Sequence, residues 1–449
     1  MNRSILYTLL LLTLALSANA QVDSNATSET KSLYCYLKSV QGKSLIVGQQ
    51  FFTYNGQNFT DNDCLLDTSD CLTSTGSHPA LLGVNYYKDS TIIKDHILNI
   101  YNHGGIATMQ WTMNNPVTGG SSNDTTPAVD SILPGGSKYN FYRKVLDTLG
   151  NFCKHLVGGN NELIPVIFRP FHECTGNSDW WGADFCTNTQ YIALFQSTVS
   201  YLRDTLGVHN LLYAYAPAHP ADYLPQLYSY RYPGDAFVDI IGFDRYNKDN
   251  QNYSNLLLQD CDTVVLFAER RNKVAAITES GVKNGVQNTA INSWFTSQFL
   301  NPLLSDTIAK KVAYWLTWTN TSPTSYWVPL PSQPTYQSYD SLYNNPYTLF
   351  LKDLPSTIYN GSTCTVVTSL PNTNAVNEPS IKIYPNPANS KLNIDCSEKV
   401  KQVDICNVLG EVVITSNKTQ ISTDGLSSGL YFIKVTGSTF VWNDKFIKN

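Results

Sequence analysis

The chain has 449 residues, of which 42% are hydrophobic, 12% are aromatic and only 14% are charged, and this excludes a wholly disordered chain or a coiled coil. Its 30 lysines and arginines stand against 35 aspartates and glutamates, so the net charge of −5 provides no field that attracts phosphate backbones or anionic lipids. We therefore expect neither nucleic-acid nor membrane-surface partners, and the length suits a barrel domain with a smaller appended domain.

The first twenty residues have the layout of a secretory signal peptide. A basic start at Arg3 precedes an apolar run from Ile5 to Leu16, and residues 18–20 read Ala-Asn-Ala. This run is shorter than the roughly 20 residues that a spanning helix needs. The sequence predicts an exported protein whose mature form begins near Gln21 and has no membrane span, with an uncleaved membrane anchor as the alternative.

Eight β-rich runs follow, and a stretch long enough for a helix comes after each. They lie at residues 44–50, 80–87, 106–112, 164–173, 210–217, 237–246, 274–281 and 312–320. Near-continuous apolar strands that alternate with helices are typical of a parallel sheet covered by helices, and eight of them predict a closed (β/α)8 TIM barrel. An open doubly wound sheet is the alternative, which the absence of a GxGxxG motif after the first run disfavours.

The ten cysteines of an exported chain are able to form disulfides. Cys64 with Cys71 and Cys174 with Cys186 are close enough in sequence to close short loops, although spacing alone leaves the pairing open. No CxxC or HExxH pattern occurs. The sequence therefore predicts no metal site and no cofactor.

The composition changes after Tyr359. Residues 361–379 are rich in Ser, Thr, Asn and Pro, which is typical of a linker, and the short alternating runs beyond them predict a small all-β, sandwich-like domain. We therefore expect a signal peptide at 1–20, a (β/α)8 domain at 30–360, the linker, and a β-rich domain at 380–449.

Polar and aromatic residues collect at the C-terminal ends of the predicted barrel strands, where a TIM barrel carries its active site. These residues are Trp111, His172, Glu173, Asp244, Tyr246, Glu279 and Trp318. Glu173 and Glu279 end the fourth and seventh runs and are expected to face each other across the barrel mouth. Glycoside hydrolysis needs such a pair, with one carboxyl protonated to assist the leaving oxygen and one ionised to attack the anomeric carbon.

Arg169 has the same strand parity as Glu173, so it is expected to point into the barrel. Burial of an arginine there is costly unless a carboxylate pairs with it, and such a partner would favour the ionised form of the nucleophile. The alternative is a purely structural Arg–Glu pair.

Five aromatic residues near these strand ends offer flat apolar faces that suit sugar rings: Trp111, Trp180, Trp181, Tyr246 and Trp318. An aromatic and weakly charged cleft suits a neutral polysaccharide. Trp180 and Trp181 are equally compatible with a place in the core.

Four segments resemble the hallmark motifs of glycoside hydrolase family 26, which consists chiefly of endo-β-1,4-mannanases. They are WTMNNP (111–116), RPFHECTGNSDWWG (169–182), YPGDAFVDIIGFDRY (232–246) and AAITESG (275–281). The resemblance implies a retaining (β/α)8 glycosidase in which Glu173 is the acid/base and Glu279 is the nucleophile. It also implies a lining for the subsite at the cleaved bond, formed by His172, Trp181, Tyr246 and Trp318.

Two positions depart from the usual pattern of that family. Thr112 stands where the family usually has a histidine, and Asn85 stands where an aspartate is common. Some members act on β-1,3-xylan or mixed-linkage β-glucan, so these two positions bear on the substrate. The expected partner is β-mannan, glucomannan or a related neutral polysaccharide. A non-catalytic carbohydrate-binding barrel is disfavoured because both glutamates are present.

The segment from Ile381 to Asn449 resembles the C-terminal sorting domain of the type IX secretion system of Bacteroidota. The resemblance rests on three motifs and a basic end: IYPNPANSKL (383–392), VDICNVLGEVV (403–413), LSSGLYFIKV (426–435), Lys445 and Lys448. It implies a second partner, the type IX secretion machinery, and removal of the domain on export. A small carbohydrate-binding β-sandwich is the alternative.

Overall fold

The structure is a computed structural model. It describes residues 21–60, 66–86, 90–221, 225–248, 252–361, 364, 381–407, 412–437 and 441–449. The predicted signal peptide and Cys64 lie outside these residues, as does the predicted linker apart from Gly361 and Cys364. The chain divides into two compact units between Cys364 and Thr365.

Eight parallel strands close into a barrel in the first unit. They follow one another around the barrel in chain order, and β1 pairs with both β8 and β2. The strands are β1 (Leu45–Gln50), β2 (Leu81–Asn85), β3 (Ile106–Trp111), β4 (Val166–Pro170), β5 (Leu211–Tyr215), β6 (Ile240–Asn247), β7 (Val274–Val282) and β8 (Tyr314–Thr317). The predicted TIM barrel is therefore confirmed, and the open doubly wound sheet is excluded.

The described helices of the first unit are α1 (Ser28–Val40), α2 (Asp70–Thr75), α3 (Ser90–Asn102), α4 (Val129–Ile132), α5 (Tyr139–Lys154), α6 (Asn188–Ser200), α7 (Pro225–Tyr230), α8 (Tyr253–Glu269), α9 (Asn301–Ser305) and α10 (Tyr336–Tyr343). Helix α1 precedes β1, α2 to α9 lie between successive strands of the barrel, and α10 follows β8. Short π or 3-10 segments cover Tyr201–Thr205, Val286–Asn288, Phe295–Leu300, Ala309–Lys311 and Leu351–Asp353. A two-residue strand, β9 (Thr348–Leu349), pairs with the start of β1.

Apolar side chains fill the lower part of the barrel. One buried cluster joins side chains from successive strands: Ile46, Leu81, Ile106, Ile167, Leu212, Ile240, Val274 and Leu316. Packing is tight enough that a Cβ on Gly83 would lie 2.1 Å from Gln50 Oε1. Apolar side chains thus occupy this part of the barrel, and the polar side chains of the candidate site lie at the C-terminal ends of the strands.

A disulfide joins Cys35 in α1 to Cys364 at the end of the first unit, 329 residues away. In the chain-entropy view, a crosslink over so long a loop disfavours the unfolded chain by about 5 to 6 kcal/mol. The short-range pairings considered from spacing do not form among the described residues, because the thiols of Cys71, Cys174 and Cys186 are free. The spacing of cysteines along the sequence carried no signal for a partner this distant.

The second unit consists of two antiparallel sheets. Its strands are β10 (Ile381–Tyr384), β11 (Lys391–Cys396), β12 (Gln402–Cys406), β13 (Val412–Ser416), β14 (Gln420–Ser422), β15 (Gly429–Thr436) and β16 (Val441–Lys448), in the orders β10-β11-β14 and β13-β12-β15-β16. Leu392, Ile433 and Phe446 are among the side chains of its small core. The predicted all-β domain is confirmed. Across the described parts of both units, no helix combines the length and apolarity needed to cross a membrane.

Candidate active site

Glu279 and Asp244 lie opposite each other on neighbouring strands of the barrel. β6 and β7 run in parallel register, and a bulge between Phe243 and Asp244 shifts that register so that Asp244 faces Glu279. Bulges next to active sites re-aim side chains without ending the strand. Two carboxylates are brought to the same level of the barrel as a result.

Arg169 on β4 binds both of these carboxylates. Its Nη2 lies 2.5 Å from Glu279 Oε1, and its Nη1 lies 3.0 Å from Asp244 Oδ2. Nη2 also donates a hydrogen bond of 2.8 Å to Gln110 Oε1. The arginine is 1% exposed, so its charge is compensated by ion pairs and hydrogen bonds in a site with little water.

Glu279 is fixed through both of its oxygens. Oε1 contacts Arg169, and Oε2 accepts a hydrogen bond of 3.0 Å from the Tyr246 hydroxyl. Burial, followed by the negative charge of Glu279, raises the pKa of Tyr246 well above its ordinary value. The phenol therefore keeps its proton, and Glu279 has a single well-defined orientation.

Glu173 lies on a turn rather than in a strand. It follows β4 with a φ of 50°, and Phe171 two residues earlier has a φ of 51°. Such left-handed conformations cost roughly 1–3 kcal/mol each for residues other than glycine, and they cluster at functional sites. The main-chain amide of Glu173 donates a hydrogen bond of 2.7 Å to the carbonyl of Ala216 after β5, which fixes the turn against the neighbouring strand.

The environment of Glu173 favours its protonated form. Burial, and then the negative charges of Glu279 and Asp179, raise the pKa of Glu173 to about 7, against an opposing contribution from Arg169. A carboxyl with such a pKa is able both to give and to take a proton near neutral pH. Burial and the positive charge of Arg169 lower the pKa of the adjacent His172, so that imidazole is neutral.

The five aromatic residues expected at the cleft fall into two groups. Tyr246 and Trp318 are half-buried, so parts of their rings are open at the barrel mouth. Trp111 is 3% exposed, and Trp180 and Trp181 are 0% exposed. Of the two places that the sequence left open for Trp180 and Trp181, the structure has the core, and Trp111 is likewise buried instead of presenting an open face.

Hydrogen bonds explain the burial of the two adjacent tryptophans. Trp180 Nε1 donates to the carbonyl of Met113 at 2.9 Å, and Trp181 Nε1 donates to the carbonyl of His172 at 2.8 Å. The loop after β4 folds back so that both indoles point inward. They support the main chain of the site from beneath.

The two departures from the family pattern contact each other. Asn85 at the end of β2 donates from Nδ2 to Thr112 Oγ1 at 2.6 Å, and the Thr112 hydroxyl is 3.0 Å from Asn85 Oδ1. Asn85 is buried, whereas Thr112 is half-buried. The Thr112 hydroxyl is therefore engaged with a neighbouring amide.

Sequence reasoning missed two residues of this region. Gln110 contacts Arg169, and its signal was a polar residue inside the apolar run of β3. Trp327, in the loop after β8, packs over Gly281, where a Cβ would lie 2.7 Å from Trp327 Cδ1. No pattern in the sequence linked that loop to the strand that carries Glu279.

Comparisons with known proteins place both units in described families. Residues 22–350 match the family described as glycosyl hydrolase family 26, and residues 382–449 match the secretion system C-terminal sorting domain. A mannan endo-1,4-beta-mannosidase of Bifidobacterium adolescentis is 31% identical over 322 residues, which is 66% of this chain and 32% of that protein. One of Bacillus subtilis strain 168 is 25% identical over 258 residues, which is 51% of this chain and 66% of that protein. The chain thus spans less than two thirds of the length of either relative.

Solved structures of similar fold include mannanases. An endo-beta-1,4-mannanase double mutant of Cellulomonas fimi superposes with a TM-score of 0.72 at 28% identity, covering 96% of this chain and 99% of that one. A beta-mannanase of Bacteroides ovatus superposes with a TM-score of 0.67 at 28% identity, covering 75% of this chain and 98% of that one.

Proposed function

The chain belongs to glycosyl hydrolase family 26, and we propose that it is a retaining endo-β-1,4-mannanase that cuts the backbone of mannan or glucomannan. The proposal rests on one observation: two carboxyls at the mouth of the barrel have different electrostatic environments. Glu279 is ion-paired with Arg169, whereas burial and neighbouring charge raise the pKa of Glu173 to about 7. Retaining glycosidases divide the work between two carboxyls in this way.

In the first step, the Glu279 carboxylate attacks the anomeric carbon and the bond to the leaving sugar breaks. Glu173 gives its proton to the glycosidic oxygen, so the leaving sugar departs as a neutral alcohol. The products of this step are a glycosyl ester on Glu279 and an ionised Glu173.

In the second step, water attacks the same anomeric carbon from the side that the leaving sugar vacated. Glu173 takes a proton from that water, and the carbon–oxygen bond to Glu279 breaks. Two inversions give net retention, and both glutamates return to their starting states. The spacing that this route requires between the two carboxyls is about 5 to 5.5 Å.

The remaining residues bind and orient. Arg169 and Tyr246 hold the two oxygens of Glu279 in place before and after attack. We assign stacking of the sugar rings to the half-buried faces of Tyr246 and Trp318, and we assign to His172, as a neutral imidazole, a hydrogen bond to a sugar hydroxyl. Trp111, Trp180 and Trp181 support the site from the core.

The proposal is tested by incubating the protein with mannan, glucomannan, xylan and lichenan. We expect soluble manno-oligosaccharides of several lengths from the first two, and NMR of the earliest product should show the β-anomer. Cleavage of xylan or lichenan alone would assign another β-glycanase activity. Binding without any new reducing ends would assign a carbohydrate-binding barrel.

We further propose that residues 1–20 are a signal peptide and that the second unit directs the chain to the type IX secretion machinery. The match of residues 382–449 to the sorting domain supports this proposal. Fusing residues 365–449 to a periplasmic reporter in a bacterium with this secretion system should export the reporter. A reporter that stays in the periplasm would contradict the assignment.

A further inference from the structure

One arginine outside the proposed catalytic set is completely buried. Arg231 lies just after α7 with none of its surface exposed. Nη1 donates to the carbonyls of Cys174 at 2.9 Å and Trp181 at 3.0 Å, while Nη2 donates to those of Cys186 and, at 3.5 Å, Gly182. A buried guanidinium is costly unless its donors are satisfied. Here main-chain oxygens satisfy them.

All four acceptors belong to the loop that connects β4 to α6. Cys174 directly follows Glu173, and Cys186 directly precedes Thr187, whose side chain begins α6 in a capping box. Arg231 Nε also donates to Asn188 Oδ1 at 3.0 Å. The guanidinium therefore joins the start of the loop to its end, which is the connection that a Cys174–Cys186 disulfide would have made.

Arg231 also packs over Tyr191, a side chain that supports the turn carrying Glu173. Its Cζ is 5.2 Å from the ring centroid of Tyr191, and the Tyr191 hydroxyl donates to the carbonyl of Phe171 at 3.2 Å. Phe171 and Glu173 are the two left-handed residues of this turn. Such conformations persist only where surrounding contacts hold them in place. Tyr191 binds the carbonyl of Phe171 before Glu173, and Arg231 binds the carbonyl of Cys174 after it.

We propose that Arg231 is a positioning residue for Glu173, because its hydrogen bonds to the loop carbonyls hold the strained turn in the conformation that aims this carboxyl. The inference rests on the proposed role of Glu173 as acid/base. In the part of the chain that the structure describes, Arg231 makes no hydrogen bond to Glu279 or to Arg169. Its removal should therefore affect proton transfer and leave the nucleophile in place.

The test compares Arg231→Met and Arg231→Lys with wild type on two substrates. One is mannan, whose leaving sugar needs a proton, and the other is a dinitrophenyl β-manno-oligoside, whose leaving group needs none. Displacement of a catalytic group by about 1 Å costs roughly 100-fold. We expect a loss of that order in kcat on mannan for Arg231→Met, a smaller loss for Arg231→Lys, and little change in the rate of glycosyl-enzyme formation from the activated substrate.

Two further readouts separate positioning from general loss of stability. The alkaline limb of the pH profile of kcat/KM on mannan should shift to lower pH in Arg231→Met. A looser turn exposes Glu173 to water, so burial no longer raises its pKa and the acid loses its proton at a lower pH. Hydrogen exchange should accelerate in peptides from 171–187 and stay unchanged in peptides from β7. This measurement needs no enzymatic activity, so it tests the loop contacts even if wild type fails to cleave mannan.

Arg271→Met is the matched control. Arg271 is a partly buried arginine of the same region, and it contacts Asp235 and the ring of Phe267 instead of the loop. This variant should behave as wild type in all three assays. If Arg231→Met does not fold, Arg231→Lys carries the test. The proposal would be overturned if kcat on mannan and the rate of glycosyl-enzyme formation from the activated substrate fell equally, or if exchange in 171–187 were unchanged.

Discussion

The two glutamates of the site are held in opposite ways. Glu279 lies within strand β7, and its side chain is fixed by Arg169 and Tyr246. Glu173 lies on a strained turn, and the chain around it is fixed through its main chain, by Ala216, Arg231 and Tyr191. A nucleophile benefits from a constant charge and direction, whereas an acid/base must change its protonation state. Side-chain bonds to the carboxylate suit the first need. Main-chain support suits the second, since among the described residues no hydrogen bond fixes the Glu173 carboxyl itself.

The largest effect on activity should come from removing Glu279, whose carboxylate is fixed by hydrogen bonds. Glu279→Ala should abolish turnover of mannan and of the activated substrate alike, because no other carboxylate occupies its position on β7. Initial rates on both substrates measure this loss. Substantial residual activity on either substrate would assign the nucleophile to another residue.

Removing the other carboxyl should give an unequal result. Glu173→Ala should lower kcat on mannan by roughly 100- to 10,000-fold, which is the usual range for a general acid or base. The rate of glycosyl-enzyme formation from the activated substrate should be nearly preserved, because that leaving group needs no proton. A stopped-flow burst of released dinitrophenol measures it, and equal losses on the two substrates would remove the division of roles.

The pH dependence of activity on mannan should follow the titration of Glu173. Since the pKa of Glu173 is raised to about 7, kcat/KM on mannan should fall about tenfold per pH unit above that value as the acid loses its proton. The folded state binds this proton more tightly than the unfolded chain, so stability due to Glu173 is present below its unfolded pKa and is lost as pH rises through about 7. Glu173→Gln should therefore raise the melting temperature at pH 8 more than at pH 4.

A smaller effect is expected where β2 and β3 end. The hydrogen bond between Asn85 and Thr112 couples the two departures from the family pattern, so Thr112→His alone should lower activity on the shortest cleavable manno-oligosaccharide through overpacking. Adding Asn85→Asp should restore part of it, since the imidazole then has a carboxylate partner. Additive effects of the two changes on kcat/KM would show that the pair is not coupled.

The smallest effect concerns the second unit. The contacts described above for both glutamates come from residues of the first unit, so a chain that ends at Cys364 should keep the full kcat and KM. A chain that ends at Tyr359 loses the disulfide to Cys35 and should be equally active but melt at a lower temperature. Calorimetry of the two truncated chains with and without reductant measures the difference. A drop in polysaccharide affinity on truncation would favour a binding role for the second unit.

The sequence was informative where strand pattern and chemistry coincide. Runs of apolar residues predicted the barrel, and a glutamate is unusual enough at the end of such a run to indicate the positions of Glu173 and Glu279. Trp180 and Trp181 were ambiguous because no periodicity tells whether a loop folds inward. Nothing in the sequence indicated the role of Arg231, since most of its partners are main-chain carbonyl oxygens, which every residue possesses.

That use of carbonyl oxygens matters for attempts to alter the enzyme. Asn177 and Ser178 are exposed at the tip of the loop that Arg231 holds, and the oxygens of this loop that accept from the guanidinium are main-chain carbonyls of other residues. The Asn177 amide hydrogen-bonds Asp184 through both its nitrogen and its oxygen, so Ser178 is the position to vary first. Randomising its codon should change the surface of the loop while Glu173 keeps its place, which makes this position a starting point for directed evolution.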